Sequence, residues 1–200
     1  MNNTQKRIHE SSRFAIYFAP EISSALHMLG SQWIGRDANS GKLIKQPKIP
    51  DITSEYFYKI TKNPRLYGFH ATLKAPFQLN IRFTLNDLQD HIQRLCASTQ
   101  PFNMYLKIKQ ADQFLALVMD PREKKMVKLA SNLVKQADHF RAPIQQPMID
   151  KRRLSVLTRS QDSNLLKWGY PYVFSDFRFH MTLTEKITFN EILSATTIVK

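Results

Sequence analysis

The octapeptide Tyr67-Gly68-Phe69-His70-Ala71-Thr72-Leu73-Lys74 has a near-copy in Phe177-Arg178-Phe179-His180-Met181-Thr182-Leu183-Thr184, and no other feature constrains the chain so tightly. The Phe, Thr and Leu content favours extended backbone, in which residues two apart share a face. Gly68, His70, Thr72 and Lys74 then point one way, and Phe69, Ala71 and Leu73 the other. In the copy, Arg178, His180, Thr182 and Thr184 lie opposite Phe179, Met181 and Leu183. Each strand offers an imidazole and a hydroxyl side by side on an apolar backing.

The segments around the motifs repeat in one order, the mark of an internal duplication. In the first half, Arg13 to Ala19 alternates, with Phe14, Ile16 and Phe18 on one face, and predicts a strand. Pro20 and Glu21 open a helix running to about Trp33. A polar connector from Gly35 to Pro50 follows, with a turn over Asp37 to Lys42. Ser54 to Thr61 reads as a short helix and Tyr67 to Lys74 as the motif strand, stopped by Pro76. Thr84 caps a helix carrying Leu85, Leu88, Ile92 and Leu95 at helical spacing, with Cys96 beside that stripe as a core residue.

In the second half, Phe102 to Lys109 and Gln113 to Met119 predict two strands joined by a tight turn at Gln110-Ala111-Asp112. Asp120-Pro121-Arg122-Glu123 has the form of a helix start: N-cap, Pro at the first helical position, then an acid. Met126, Leu129, Leu133, Ala137 and Phe140 make that helix's buried stripe. A connector with Pro143 and Pro147 leads through Lys151-Arg152-Arg153. Gln161 to Lys167 reads as a helix, Phe177 to Thr184 as the second motif strand, and a last helix begins near Thr188.

Composition narrows the class. A chain of 200 residues with 42% hydrophobic content and 13 Phe can bury a core without a covalent staple. Cys96 is the only cysteine, which rules out an internal disulfide and a cysteine-based zinc site. Met1 to Ser12 is a polar tail without the apolar stretch of a secretory signal, and no apolar run approaches the roughly 18 residues that span a bilayer. The expectation is a cytoplasmic protein with no membrane contact. The 29 Lys and Arg outnumber 16 Asp and Glu, a net charge of +13, and a surplus of that kind attracts anions such as phosphates or nucleic acid.

Two histidines and two threonines around one cleft suit phosphodiester chemistry. A neutral histidine takes a proton from the attacking group and a protonated one gives a proton to the departing oxygen, since an imidazole titrates near working pH. Hydroxyls of Thr72 and Thr182 can hold the non-bridging oxygens. Neither step calls for a metal or other cofactor, and no His-x-His, His-Glu-x-x-His or cysteine pair supplies the third ligand a metal site would need. Lys74 and Arg178 lie on the motif faces and can pair with phosphate, while Arg65 and Tyr67 precede the first strand closely enough to line a cleft mouth.

The paired motifs resemble those of the two-histidine (2H) phosphoesterase superfamily, within it the branch found in bacterial phosphonate-utilisation operons. Phe14 to Pro20, Trp33-Ile34-Gly35-Arg36-Asp37, Phe114-Leu115-Ala116-Leu117-Val118, Phe140-Arg141-Ala142-Pro143 and Trp168-Gly169-Tyr170-Pro171-Tyr172 extend the likeness across about residues 13 to 190. The resemblance implies an α+β, bilobal fold of two pseudo-symmetric lobes, about 13–100 and 101–200, each of antiparallel sheet plus helices, with a central cleft. Members of that branch continue for some tens of residues past the second motif, so an edge strand of the second lobe is expected to be missing. The resemblance also implies a phosphoric diester hydrolase of cyclic phosphodiesterase type, independent of metal, with His70 and His180 as the acid–base pair and Thr72 and Thr182 as phosphate-binding hydroxyls. The expected partner is a small phosphorylated substrate. An RNA end bearing a 2′,3′-cyclic or 2′,5′ linkage is one alternative, and a phosphate-ligand module without turnover is another. Neither the oligomeric state nor the order in which the histidines act follows from the residues.

Overall fold

Five strands join in one sheet in the computed structural model, which describes residues 12–187. They are β1 (Arg13–Phe18), β2 (Ala71–Gln78), β3 (Leu106–Ala111), β4 (Phe114–Met119) and β5 (His180–Thr182), in the spatial order β1-β2-β5-β4-β3. The β2–β5, β3–β4 and β4–β5 pairings are antiparallel. Among the described residues seven α-helices complete the α+β fold: α1 (Ala25–Ile34), α2 (Ser54–Ile60), α3 (Lys62–Tyr67), α4 (Leu85–Ala97), α5 (Lys124–Gln136), α6 (Gln146–Arg153) and α7 (Arg159–Trp168).

Local chemistry accounts for most boundaries. Helix α4 starts where Thr84 and Asp87 satisfy each other's backbone donors, and Thr158 and Gln161 do the same for α7. Helix α1 ends at Gly35, whose φ of 81° is the left-handed conformation that closes a helix. The β3–β4 hairpin pairs Leu106 with Met119 through to Ala111 with Phe114, leaving Asp112 (φ 54°) and Gln113 as a two-residue turn.

Contacts divide the chain into two compact units. Among the described residues the first takes 12–16, Leu73–Phe102 and Lys124–Phe177, and the second takes Tyr17–Thr72, Asn103–Glu123 and 178–187. Each draws on both sequence halves. In the first, buried Phe77, Leu88, Ala137 and Phe140 form a core on which Phe14, Ile16, Leu79, Phe83, Leu85 and Ile92 pack. In the second, Ile34, Phe57, Phe69, Ala71, Leu115 and Met181 are buried.

Several expected elements move. Helix α1 begins at Ala25 rather than Pro20, because the Ser24 side chain accepts from the His27 N–H and sets the start there. Helix α3 replaces the coil before the first motif; its Pro64 sits in the first turn, where no helical N–H is needed. The first motif strand therefore begins at Ala71, and it runs through Pro76 rather than stopping there. β5 is only three residues long and pairs with β2 at Ala71, five residues before Pro76. Asp120 does not cap α5, which starts at Lys124. Its carboxylate instead sits 3.3 Å from Lys107 and 2.9 Å from Lys109 on β3. Lys151-Arg152-Arg153 closes α6 rather than lying in a connector, three cations where the helix dipole favours them. The tail up to residue 11, the helix expected from Thr188 and the expected gap at the second lobe's edge lie outside the described residues.

Candidate functional site

The two motifs come together in the second unit. Ala71 pairs with Met181 across antiparallel β2 and β5, and continuing that register sets His70 opposite Thr182 and Thr72 opposite His180. Ala71 and Met181 are 1% and 0% exposed, so the backing face is packed. The two His and two Thr therefore share the other face. Residues directly opposed across an antiparallel pair have β-carbons about 5 Å apart, and diagonal neighbours about 7–8 Å. The motifs thus build a square with His–Thr edges and an imidazole at each end of one diagonal.

Both imidazoles are held the same way. His70 Nδ1 lies 2.8 Å from the Gly68 carbonyl, and His180 Nδ1 lies 2.9 Å from the Arg178 carbonyl. A carbonyl can only accept, so Nδ1 carries the proton in each ring and Nε2 is the atom left for proton exchange. Gly68 sits at φ 89°, and a β-carbon there would run into the Ala38 side chain, so only glycine gives this carbonyl its direction. The rings differ in their neighbours. Tyr17 on β1 lies 4.0 Å from His70, centroid to centroid, while Phe114 on β4 lies 5.9 Å from His180. Burial pushes the His70 pKa below the ordinary imidazole value, the charge of nearby His180 lowers it further, and the bond to Gly68 opposes both.

The other expected site residues divide. Thr72 and Thr182 are half-buried on the motif face, Arg178 is exposed beside His180, and Tyr67 is 64% exposed at the end of α3. Arg65 does not line an opening. It is 6% exposed, donates to the Tyr58 carbonyl at 2.8 Å and to Thr61 Oγ1 at 3.2 Å, and stacks on the Tyr58 ring. The junction of α2 and α3 needs a long flat cation to satisfy those acceptors, and Arg65 is placed there for packing. Lys74 belongs to the first unit, 3% exposed, with its ammonium 3.2 Å from the Val134 carbonyl and 3.4 Å from Asp138 Oδ1. Thr184, on the expected motif face, is fully buried and accepts from the Leu115 N–H at 2.9 Å.

Two contributors lay hidden in the sequence. Tyr17 occupies the position between Ile16 and Phe18 that alternation sends to the opposite face, which was the available signal. Trp33 Nε1 donates to the Leu183 carbonyl at 3.0 Å, tying α1 to the residue after β5. Among the described residues no three His, Cys, Asp or Glu side chains are grouped to hold a metal ion. No helix among them is long and apolar enough to cross a membrane.

With this α+β fold and its paired His-x-Thr strands in place, comparison supplies the family. Residues 72–199 match the family described as "Protein of unknown function (DUF1045)", and the chain belongs to that family. It is 36% identical over 177 residues to a protein of Janthinobacterium sp. (strain Marseille) named ribose 1,5-bisphosphate phosphokinase PhnN, an alignment covering 88% of this chain and 39% of the relative. A protein of the same name from Laribacter hongkongensis (strain HLHK9) is 30% identical over 175 residues, covering 88% and 40%. The chain thus spans about two-fifths of the length of these curated relatives. No solved structure is a significant match.

These names correct one expectation and support another. Both relatives are named for a phosphokinase, an activity that transfers a phosphoryl group, and this overturns the assignment to the phosphoric diester hydrolases. The same printed name concerns a phosphorylated sugar, so the relatives act on a phosphorus compound of the general kind the sequence led us to expect.

Proposed function

We propose that the His70/His180 face is a phosphate-ester site, and that its two imidazoles move protons during transfer of a phosphoryl group between hydroxyls of a small phosphorylated sugar. One observation carries this reading: both Nδ1 atoms are tied to carbonyls, which leaves two Nε2 atoms, flanked by two threonine hydroxyls, on one strand face. The likeness of the motifs to the 2H superfamily, and the bilobal arrangement it implies, point the same way. Ribose 1,5-bisphosphate, in the relatives' printed name, sets the substrate class as a phosphorylated pentose.

The step balances with these groups. His70, kept neutral by its surroundings, accepts the proton of the attacking hydroxyl at Nε2 as the new oxygen–phosphorus bond forms. Protonated His180 gives its Nε2 proton to the departing oxygen as the old bond breaks. Thr72 and Thr182 hydrogen-bond the non-bridging oxygens, where charge builds in the transition state. Arg178 adds a cation at the rim.

Titration calorimetry with ribose 5-phosphate and ribose 1,5-bisphosphate, followed by phosphorus NMR with EDTA present, tests the reading. Binding of either sugar phosphate and a shift of its phosphoryl group to another hydroxyl are expected, with the shift lost in the His70→Ala/His180→Ala double variant. Absence of binding, or turnover that survives the double variant, overturns it. A second reading rests on the relatives' extra length: the face binds the sugar phosphate while the chemistry lies in the part of those proteins beyond the match. Binding weakened by the double variant, with no turnover by the wild type, selects this second reading.

A further inference from the structure

The face that carries the histidines continues across two more strands of the second unit. Thr182 and His180 of β5 stand opposite Ala116 and Val118 of β4, which stand in turn opposite Lys109 and Lys107 of β3. Opposed residues of an antiparallel pair point to the same side, so both lysines share a face with the four motif side chains. Two rows therefore cross the sheet. One runs through Thr72, His180, Val118 and Lys107, the other through His70, Thr182, Ala116 and Lys109. Ala116 is buried, whereas every residue of the first row is at least partly exposed, so the open track from His180 to the lysines passes over Val118. Neighbouring strands lie about 4.8 Å apart, which puts the β3 backbone about 10 Å from that of β5. The lysine side chains are 66% and 51% exposed, and both already hold an oxyanion, the carboxylate of Asp120. Hydrogen bonds from Lys109 and then Lys107 keep that carboxyl below the usual carboxylate range. Two cations share this one anion, and exposed ion pairs hold weakly, so a more highly charged anion can displace it.

We infer that Lys107 and Lys109 form a second phosphate subsite on this face, so that its substrate carries two phosphates, one over the histidines and one over β3. The inference rests on the reading of the histidine face as a phosphate-ester site and narrows its substrate class to a sugar bisphosphate. A phosphate dianion matches two ammonium groups, each with three N–H donors, better than the single charge of Asp120 does. Lysine grips as a point charge on a flexible stem, which suits the phosphate that does not react. Thr72 and Thr182 would fix the one that does. Val118 offers the sugar an apolar floor between the two, with the Phe114 ring beside it, 5.9 Å from that of His180. Binding energy gained at the remote phosphate can then orient the reacting end.

Titration calorimetry at constant ionic strength, comparing ribose 5-phosphate with ribose 1,5-bisphosphate, tests the inference. Wild type should bind the bisphosphate about tenfold or more tightly, the usual scale of an added charge-assisted hydrogen bond, and Lys107→Met/Lys109→Met should remove that advantage. Lys124→Met/Lys128→Met takes the same charge from exposed positions on α5 and should leave the advantage intact. Asp120→Asn frees both lysines and should tighten the bisphosphate more than the monophosphate, which keeps the test open where the β3 double variant does not fold. Equal affinity for the two sugars in wild type overturns the second subsite and leaves the histidine reading standing. So does an advantage that survives the β3 substitutions, one lost equally in the α5 control, or one that Asp120→Asn diminishes. Failure of both sugars to bind wild type, or bisphosphate binding indifferent to His70→Ala/His180→Ala, overturns the histidine reading and the two-phosphate site with it.

Discussion

His70 and His180 stand on near-copies of one sequence, each with Nδ1 tied to the carbonyl two residues back, yet they occupy different surroundings. His70 precedes an eight-residue strand, follows a glycine at φ 89° and lies against Tyr17. His180 opens a strand of three residues that follows the 3-10 turn Phe174–Asp176, with Phe114 at longer range. The repeated residues fix the tautomer, because tautomer depends on a bond within the motif. The proton affinity of His70 depends on what packs over its ring, and the repeated residues do not specify that packing. A symmetric sequence can therefore yield one base and one acid.

The sharpest way to break this pairing is to remove one ring at a time. His70→Ala and His180→Ala should each lower phosphoryl transfer about a hundredfold or more, the usual scale for a positioned acid or base, as followed by phosphorus NMR. Should either single variant keep the wild-type rate, the two histidines do not work as a pair. Gly68→Ala tests the first motif's tether alone. It forces a side chain onto left-handed backbone and into Ala38, and should cost about 1–3 kcal/mol in urea unfolding. The His70 ring resonances should move while those of His180 hold. A variant as stable as wild type would show that the carbonyl's direction does not depend on glycine.

Half of the motif face was legible in the sequence, because strand alternation puts His70 with Thr72 and His180 with Thr182 whatever surrounds them, while the pairing of Ala71 with Met181 that brings the two pairs onto one face is a long-range contact. The fold's capped helices were legible for the same local reason, as Thr84 and Asp87 show. What depends on distant packing was not. Lys74 has the right parity for the motif face, but it falls where β2 passes into the first unit, and Asp138 and Val134 claim its ammonium. Arg65 reads as a surface cation until Thr61 and Tyr58 appear as its acceptors. Asp120 has every local mark of a helix cap, but two lysines of a neighbouring strand outbid the helix for its carboxylate.

A third test uses stability rather than rate. In the window between the lowered pKa of folded His70 and the ordinary value of about 6.5, the unfolded chain binds more protons than the folded one, so unfolding free energy should rise with pH. It should fall as pH drops through that window and level off below the folded value. His70→Gln should flatten this part of the curve in urea titrations at stepped pH. An unchanged slope in His70→Gln would place the proton uptake elsewhere.

The smallest effect asks what lowers the His70 pKa. Burial is its leading cause, and Tyr17 is the ring in contact with the imidazole. Tyr17→Ala admits water to one side of His70, so the pKa should rise toward that of an exposed histidine, read from the ring proton shift in an NMR titration. The low-pH limb of the transfer rate should move up by the same amount, because it reports loss of the neutral base. An aromatic face can also attract the imidazolium, which works in the opposite direction. A pKa that falls in Tyr17→Ala would mean that this attraction outweighs desolvation and that Tyr17 favours the charged ring. His70 would then be the better placed of the two to donate, and the acid and base assignments would exchange.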